Sequence, residues 1–164
     1  MTEFARTAEA ADDGQILAVL DAVHPEILGG RGGPLLLNRE AAVSDWTARL
    51  AAAHAADDQH LIVGGFADVV FGAALVSVEP LADGSLIGVL DVLAVDPEAR
   101  EVGIGEAMMN MVIERVKAAG CVGVDSRALP GDRETKNFFE SFGLKARLLT
   151  VHMAFDPAEN APRS

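Results

Sequence analysis

Three strand-like stretches that follow one another closely constrain the fold of this chain most. His60 to Phe66, Val69 to Glu79 and Leu86 to Val95 are rich in β-branched and other apolar residues, and Ala67-Asp68 and Pro80 to Ser85 separate them. Connections this short join neighbouring antiparallel strands, because a parallel return needs a crossover of about a dozen residues or more. The centre of the chain therefore predicts an antiparallel meander.

The segment after the meander adds a parallel strand. The apolar spacing predicts a helix from Gly103 to about Ala119, Gly120 stands where glycine commonly ends a helix, and Cys121 to Ala128 has the composition of the next strand. A helix thus joins the strand ending at Val95 to the following strand. Such a crossover makes the two strands parallel and is almost always right-handed.

The remaining predicted elements flank this centre. They are a short strand at Phe4 to Ala8, a helix capped by Asp12 or Asp13 and ended near His24-Pro25, an exposed loop over Glu26 to Leu37, a second helix capped by Asn38, a helix from Asp132 to Gly143, and a closing strand over Lys145 to Phe155. The order β-α-α-β-β-β-α-β-α-β predicts an α/β fold, in which helices pack over a mixed sheet. We expect one domain over residues 1–155 and a polar, fraying C-terminal tail over residues 156–164.

The composition excludes several classes of protein. With 164 residues, 50% of them hydrophobic and 23% charged, the chain can build one core and is not of the disordered type. It has no apolar run long enough to span a bilayer, and its start lacks the basic and then apolar pattern of a signal peptide. The single cysteine, Cys121, excludes an internal disulfide and leaves too few thiolates for a structural zinc site. We therefore expect a cytoplasmic protein with no metal and no membrane partner.

The net charge of −12 bears on partners. A field of this sign repels phosphate backbones, and the 13 lysines and arginines form no basic stripe, so we expect no nucleic-acid partner. The same field concentrates cationic small molecules or basic peptides near the surface.

Arg100-Glu-Val-Gly103-Ile-Gly105 is the most informative short segment, because it leads from a strand into a helix. The first turn of a helix exposes unpaired N–H groups with partial positive charge, and glycine leaves room for a phosphate to approach them. This arrangement lets an acidic protein bind a polyanion without a basic patch. Alternatively, the two glycines only allow the helix to pack tightly on the strand.

Two other nucleotide-binding patterns fit less well. A dinucleotide-binding loop has a third glycine or alanine where this chain has Met108, and it opens a βαβ unit, whereas here a meander comes first. The Gly-Lys-Ser/Thr of nucleoside-triphosphate loops is absent from the sequence. An oxidoreductase with a nicotinamide or flavin cofactor is therefore a distant alternative.

The strand, turn and glycine-rich helix start resemble the acetyl-coenzyme A motif of the GNAT N-acetyltransferase superfamily. That motif consists of Arg or Gln, two residues, Gly, one residue, and then Gly or Ala, which Arg100, Gly103 and Gly105 match. Downstream, Phe138-Phe-Glu-Ser-Phe-Gly-Leu144 is similar to the family's Phe-Tyr-Glu-x-x-Gly-Phe ending of its last helix. The predicted element order also matches, from Phe4 to Phe155.

The resemblance implies a GNAT-like fold and activity. The fold would be a mixed, mostly antiparallel sheet of six to seven strands with a parallel, splayed central pair, flanked by about four helices. The activity would be acetyl-CoA-dependent N-acetyl transfer, by direct attack of an amine on the thioester and without a metal. In the family, the region of the Glu26 to Leu37 loop and the second helix shapes the acceptor pocket. With the acidic charge, this implies a small cationic molecule or a peptide amine as acceptor.

The resemblance also implies a coenzyme site. The pyrophosphate would lie on backbone amides of the loop and helix start, and the pantetheine arm would pair with the backbone of the preceding strand between the splayed strands. The Leu93 N–H would then polarise the thioester carbonyl. Asp132 stands where the family often carries an asparagine that contacts the coenzyme, although a helix cap is the alternative. The implied cofactor-binding residues are Leu93, Ala94, Val95, Arg100, Glu101, Val102, Gly103, Ile104, Gly105 and Asp132.

Asp91 is the candidate general base. It is an acid inside an apolar strand, two residues before Leu93, and alternation would place both side chains on one face. Burial of a carboxyl group favours its protonated form, so an acid beside the thioester could take up the proton of the amine. Asp91 could instead serve only to hold a backbone amide or a cation. Glu79, at the end of a neighbouring strand, is the reserve base.

The family's general acid is missing. A tyrosine of the last helix usually protonates the leaving thiolate, but here that position is Phe139 and the chain contains no tyrosine. Water or Ser126 could replace it, since a thiol with a pKa of about 8.5 is a tolerable leaving group. The alternative is an inactive module that binds or senses acyl-coenzyme A. We also expect that a domain of this size can form a homodimer.

Overall fold

The computed structural model of the chain describes residues 2–160. Its contacts divide it into two compact units, one extending to Arg133 and one beginning at Glu134, and each is described by itself. The helices and strands, in chain order, are β1 (Glu3–Thr7), α1 (Asp13–Gly29), α2 (Gly33–Asn38), α3 (Trp46–Ala55), β2 (Gln59–Phe66), β3 (Val69–Pro80), β4 (Leu86–Val95), α4 (Ile104–Ala118), β5 (Val124–Asp125) and α5 (Arg133–Ser141).

The five strands of the described residues form one sheet in the order β1-β2-β3-β4-β5. The first four are antiparallel neighbours, and β4 and β5 are parallel. The predicted meander and the parallel pair after it are thus confirmed, as is the mixed α/β fold class. Between β2 and β3, Ala67 and Asp68 have φ values of 44° and 66°, as a tight hairpin turn of the type I′ kind requires.

Helices cover both faces of the sheet in the first unit. Leu75 of β3 packs with α1 and α3 in one buried cluster, whose other members include Ile16, Leu50, Ala53, Leu61, Val63 and Ala73. Gly64 and Gly72 alternate with residues of that cluster and so face the other way, where they contact α4. A Cβ atom at Gly72 would lie 2.6 Å from the Met108 Cε atom, so these glycines let α4 approach the strands closely.

The N-terminal helices differ from the prediction. Pro25 lies inside α1, which continues to Gly29, because Ile27 beyond it packs on the buried cluster formed by Val19, Val23 and Ala94. The predicted loop over residues 26–37 therefore contains the end of α1 and most of α2. Pro34 lies in the first turn of α2, where the missing N–H is not needed.

The cap of the next helix was also assigned wrongly. Asn38 is the last residue of α2, and its side chain donates to the carbonyl oxygen of Pro34. Asp45 caps α3 instead, because its carboxylate accepts a hydrogen bond of 3.1 Å from the Ala48 amide. Asn and Asp are both good caps, so residue type alone did not distinguish the two positions.

The C-terminal strands are shorter than predicted. The strand expected over Cys121 to Ala128 is confined to Val124–Asp125, and the one expected over Lys145 to Phe155 is absent. The described residues therefore hold five strands rather than six to seven, with five α-helices rather than about four. Alternating apolar residues form a strand only where backbone partners are at hand, and the large apolar side chains of this last segment are exposed, namely Leu148, Leu149, Val151, Met153 and Phe155.

The predicted polar tail begins with a 3₁₀ turn at Pro157–Asn160, and residues 161–164 lie outside the described residues. Between residues 2 and 160, no helix combines the length and the apolar character needed to cross a bilayer.

Candidate active site

The two parallel strands separate early, which leaves an open backbone edge on β4. β5 pairs only with Gly88 and Val89, and hydrogen bonds next to this short ladder join Leu86 to Val122 and Gly88 to Gly123. β4 continues for six residues beyond Val89 while it remains paired with β3 on its other side. The edge of β4 that faces away from β3 is therefore not covered by β5 over its last six residues.

The backbone of Leu93 points to this open edge. The Asp96 amide donates to the Phe71 carbonyl oxygen on β3 at 2.7 Å, and successive residues of a strand direct their backbone groups to opposite sides. Val95 and Leu93 therefore present their N–H and C=O groups away from β3. Consistent with this direction, the Val95 carbonyl accepts a bond of 3.3 Å from Arg100 Nε. An N–H at this position is what the predicted oxyanion contact needs.

The start of α4 has no side-chain cap. Gly103 occupies the N-cap position with a φ of 88°, and no side chain of the described residues accepts a hydrogen bond there. Glu101, two residues earlier, also has a positive φ, 66°, which is costly for a residue with a side chain. The nearest side chain to a Cβ atom built on Gly103 is that of Glu3, whose carboxyl group lies about 3.4 Å away. The first-turn amides thus lack a capping side chain and could receive an anion.

Arg100 fastens the approach to this helix. Its Nη1 lies 2.9 Å from Glu26 Oε2 on α1, and its Nε donates to the Val95 carbonyl. The side chain is 29% exposed. Because its charge is paired, Arg100 holds the loop between β4 and α4 in place rather than offering a bare cation.

Asp91 lies at a β-bulge. Leu75 of β3 is opposite Val92 and the next residue, Val76, is opposite Leu90, so Asp91 is an extra residue without a partner on β3. Val92 thus shares the face of Leu75, which α1 and α3 cover. A bulge of this kind bends the strand and redirects a side chain, and bulges are common next to active sites.

The bulge corrects the predicted relation of Asp91 to Leu93. The Ser77 hydroxyl, on the Leu75 face of β3, donates to Asp91 Oδ2 at 3.1 Å, which places the carboxylate on the face that α1 and α3 cover. Leu93 is opposite Ala74 and so faces the α4 side. The two side chains lie on opposite faces, and the prediction of a shared face was wrong because it assumed an unbroken alternation.

Charged groups surround the Asp91 carboxylate. Arg49 Nη2 lies 3.8 Å from Oδ2 and Arg127 Nη2 lies 3.8 Å from Oδ1, and the Asp91 side chain is 30% exposed. Arg49 also donates to the Gln59 side chain through Nη1. The carboxylate is thus partly solvated between two guanidinium groups instead of being buried among apolar side chains, as the sequence interpretation had assumed.

A profile of the acetyltransferase (GNAT) family matches residues 34–144 of the chain. The chain belongs to this family. The match contains β4, the open edge, the start of α4 and the Asp91 cluster. It also removes the dinucleotide-binding alternative, since the sheet of this GNAT chain begins with an antiparallel meander rather than a βαβ unit.

Solved structures share the fold of this GNAT chain. A transcriptional regulator from Bacillus halodurans matches with a TM-score of 0.70 and 20% identity, over 94% of this chain and all of that one. Glucosamine-6-phosphate N-acetyltransferase from Arabidopsis thaliana matches with a TM-score of 0.64 and 18% identity, over 95% and 100%. An aminoglycoside acetyltransferase from an uncultured soil sample matches with a TM-score of 0.68 and 14% identity, over 94% and 95%. A search among curated protein sequences finds no significant match.

The remaining predicted site residues of this GNAT chain occupy varied positions. Ala94 is 7% exposed and packs on α1, whereas Val102 is 45% exposed in the loop before α4. Asp132 directly precedes α5, and its amide donates to the Leu129 carbonyl. Glu79 is exposed near the end of β3, opposite Ile87 and remote along the ladder from the bulge.

Two loops of the first unit meet beside the open edge. The side chain of Leu129, from the segment after β5, lies 3.0 Å from a Cβ atom built on Gly30, in the turn between α1 and α2. This contact, together with the pair formed by Arg100 and Glu26, joins both segments that flank the open part of β4 to the end of α1. The region of the predicted acceptor loop therefore borders the site, although it is mostly helical.

Phe139 provides no hydroxyl group to the chemistry. Its side chain is buried, with 8% exposed, and its ring meets that of Phe138 edge-on at 5.6 Å. Ser126, the suggested substitute acid, is half-buried just after β5. In the part of the chain that the structure describes, no three His, Cys, Asp or Glu side chains cluster as metal ligands would.

Sequence reasoning missed Arg49, Ser77 and Arg127. They lie on α3, on β3 and after β5, and no motif or spacing connects them with Asp91. Ser77 carried a weak signal, as a polar residue inside a strongly apolar strand. The two arginines carried none, because only the tertiary fold brings α3 and the end of β5 to the same carboxylate.

Proposed function

We propose that this protein is an acetyl-CoA-dependent N-acetyltransferase, in which an amine attacks the thioester directly. The observation that carries the proposal is the open edge of β4, where the Leu93 amide is directed into the gap left by β5. A gap of this kind can take an extended chain that hydrogen-bonds like an additional strand. Family membership supports the same reaction.

The coenzyme would bind through backbone groups. Val95 and Leu93 offer the edge of β4 to a pantetheine arm, and the amides from Glu101 to Gly105 offer the uncapped start of α4 to a pyrophosphate. The helix terminus and oriented N–H groups act at close range, so a net charge of −12 does not prevent the binding of a polyanion.

The chemistry requires a proton acceptor on the amine side. A typical alkylamine has a pKa of roughly 10 and must lose a proton before or during attack. Asp91 is the proposed acceptor, directly or through a water molecule. As the nitrogen–carbon bond forms and the carbon–sulfur bond breaks, the Leu93 N–H stabilises the charge on the carbonyl oxygen. The departing thiolate takes its proton from water or from Ser126.

The Asp91→Asn variant tests the role of this carboxylate. We expect kcat to fall by about 10²- to 10⁴-fold, the usual contribution of a general base, while the Kd of coenzyme A measured by calorimetry stays the same. Glu114→Gln is the matched control, since it removes an exposed carboxylate from α4 about three turns from the start of that helix. Thiol release from acetyl-CoA with a panel of amines measures both. Equal losses in the two variants, or none in Asp91→Asn, would contradict the assignment.

One observation favours a second candidate, a module that binds acyl-coenzyme A without turnover. Phe139 stands at the position where the family usually has the tyrosine that serves as general acid, and the chain has no tyrosine elsewhere. Tight binding of coenzyme A without thiol release, for every amine in the panel, would favour this module. Acetylation of any amine at a rate above hydrolysis would exclude it.

The finer assignments are proposals as well. A small cationic molecule or a peptide amine is the proposed acceptor class, in line with the acidic surface and with neighbours of the fold that include an aminoglycoside acetyltransferase and a glucosamine-6-phosphate N-acetyltransferase. We also propose a cytoplasmic homodimer that acts without a nucleic-acid or membrane partner.

A further inference from the structure

The Asp91 cluster combines charged groups of both signs. Two guanidinium groups, of Arg49 and Arg127, approach one carboxylate, and Ser77 and Gln59 are neutral neighbours. A second carboxylate, that of Asp125, stands on β5 in register with Val89, on the same face. The cluster lies on the face of β4 that α1 and α3 cover, at the bulge that precedes the open edge.

Neither guanidinium group lies within hydrogen-bond distance of the Asp91 carboxylate. Both nitrogen–oxygen distances are 3.8 Å, which is beyond the 2.7–3.2 Å of an N–H···O hydrogen bond. Each arginine carries five N–H donors in a planar fork that suits a carboxylate. The side chains of Arg49 and Arg127 are 26% and 36% exposed, so a small ligand can reach them.

We propose that the acceptor is a primary amine that also carries a carboxylate, as a free amino acid does. Its carboxylate binds between Arg49 and Arg127, and its ammonium group lies against Asp91, which then takes the proton. The site thus offers two cations, Arg49 and Arg127, to the ligand's carboxylate. It offers the acid between them, Asp91, to the ligand's ammonium group. This inference rests on the proposed function, and it narrows the acceptor from a cationic amine to an amine that also carries a carboxylate.

An acceptor that has amines only gives the two guanidinium groups no new partner. A polyamine would also place a second cation near Arg49 and Arg127. The acidic surface still attracts cations at long range, but contacts at the site decide which amine is held in place.

Matched acceptors provide the first test. Lysine and phenylalanine are compared with cadaverine and phenethylamine, the amines that lack only the carboxylate. They are also compared with the methyl esters of the two amino acids. Thiol release from acetyl-CoA gives kcat/KM for each. Charge-assisted bonds to a carboxylate predict about a 10- to 100-fold preference for the amino acid in each set. Equal values for acid, ester and plain amine would overturn the proposal.

Variants locate the preference in the structure. Arg49→Gln and Arg127→Gln should each remove most of the preference, because they lower kcat/KM for the amino acid more than for the plain amine. Arg39→Gln is the control, because it removes a guanidinium that is 80% exposed on another segment. Arg49→Lys keeps the charge but loses the fork, so it should retain only part of the preference. A loss that is the same for acid and plain amine would contradict the proposal, and thermal unfolding shows whether each variant is folded.

Calorimetry separates this proposal from the proposed function. If coenzyme A binds but no amine is acetylated, the proposed activity fails, and the protein saturated with coenzyme A can still be titrated with phenylalanine and phenethylamine. Tighter binding of phenylalanine that Arg49→Gln abolishes would support the carboxylate site even then. Binding that is the same for both ligands would overturn it.

Discussion

Glu3 places a carboxylate beside the predicted pyrophosphate site, because its side chain is the nearest to the Cβ position of Gly103. Negative charge at this point stabilises the uncapped start of α4 in the free protein, but it repels a diphosphate. We expect Glu3→Gln to bind coenzyme A several-fold more tightly at low salt, with a difference that shrinks as salt screens the charges. Calorimetry at two ionic strengths measures this.

Glu114→Gln is the matched control for Glu3→Gln, since it removes an exposed carboxylate from the same helix, three turns away from its start. Unchanged affinity in both variants, or the same gain in both, would show that the diphosphate does not bind near Gly103.

The ion pair between Arg6 and Asp12 links folding to pH. Arg6 Nη1 and Nη2 donate to the Asp12 carboxylate at 2.7 and 2.8 Å, and these bonds, together with the Glu9 amide, lower the pKa of Asp12 below its usual value of 3.8. Because the folded-state pKa is depressed, the pair stabilises the protein above pH 4, and this contribution is lost as the pH falls through the folded pKa.

We expect Asp12→Asn to lower the free energy of unfolding by about 1–3 kcal/mol at pH 7, the range for bonds to a charged group. The difference from the wild type should narrow steadily below pH 4. Urea unfolding at several pH values measures it, and a difference that stays constant down to pH 2 would contradict the linkage.

The packing of α4 on the sheet depends on glycines in the facing strands. A Cβ atom at Gly72 would lie 2.6 Å from Met108 Cε, closer than such atoms approach in proteins. Gly72→Ala should therefore destabilise the fold by about 1–3 kcal/mol through overpacking. Met108→Ala, which by itself leaves a cavity, should cost less in the Gly72→Ala background than in the wild type, because it removes the opposing methyl group.

Gly14→Ala is the control for this packing argument, since no atom lies within 4 Å of its Cβ position in α1. It should be neutral or slightly stabilising. Thermal unfolding of the wild type, the three single variants and the double variant measures these differences, and a Gly72→Ala variant as stable as the wild type would refute close packing at this point.

Elements with local signals could be predicted from the sequence, and those that depend on distant partners could not. β2, β3 and β4 have their expected bounds within about one residue, since each is apolar and bounded by a tight turn. The end of α1 was predicted too early, at Pro25. Proline breaks helices by a local effect, and the packing of Ile27 overrides that effect here. The strand over residues 145–155 was predicted wrongly. Alternation shows which face of a strand could be buried, but not whether a neighbouring strand is there to pair with it.

The candidate site shows the same division. The loop from Arg100 to Gly105 follows closely after Leu93 in the sequence, so one short motif could identify both. The bulge at Asp91 reverses which face a side chain takes, and nothing in Leu-Asp-Val-Leu reveals it. Its neighbours Arg49 and Arg127 lie 42 and 36 residues away along the chain, so only the structure could bring them together with Asp91.

On the scale of the whole molecule, the exposed C-terminal segment bears on assembly. Leu149, Val151, Met153 and Phe155 alternate along the chain and are 71–92% exposed, a pattern that gives a strand one apolar face. Two copies of the segment could pair antiparallel about a twofold axis, which would bury both faces. We expect a homodimer that dissociates on dilution.

Val151→Glu should shift this dimer to monomer, since it places two like charges at the pairing surface. Thr150→Glu is the control on the other face of the segment. Sedimentation velocity over a range of concentrations measures the change, and a wild type that stays monomeric at high concentration would contradict the prediction.

The central claim is that backbone amides of β4 and of the start of α4 bind coenzyme A. Two-dimensional amide NMR of the 17.1 kDa protein tests it most directly, by titration with coenzyme A. The account predicts that the signals of Leu93, Val95, Ile104 and Gly105 move together and saturate, while amides of the turn between β3 and β4, at the other end of β4, stay in place. Signals of these four residues that remain unchanged at saturating coenzyme A would contradict it.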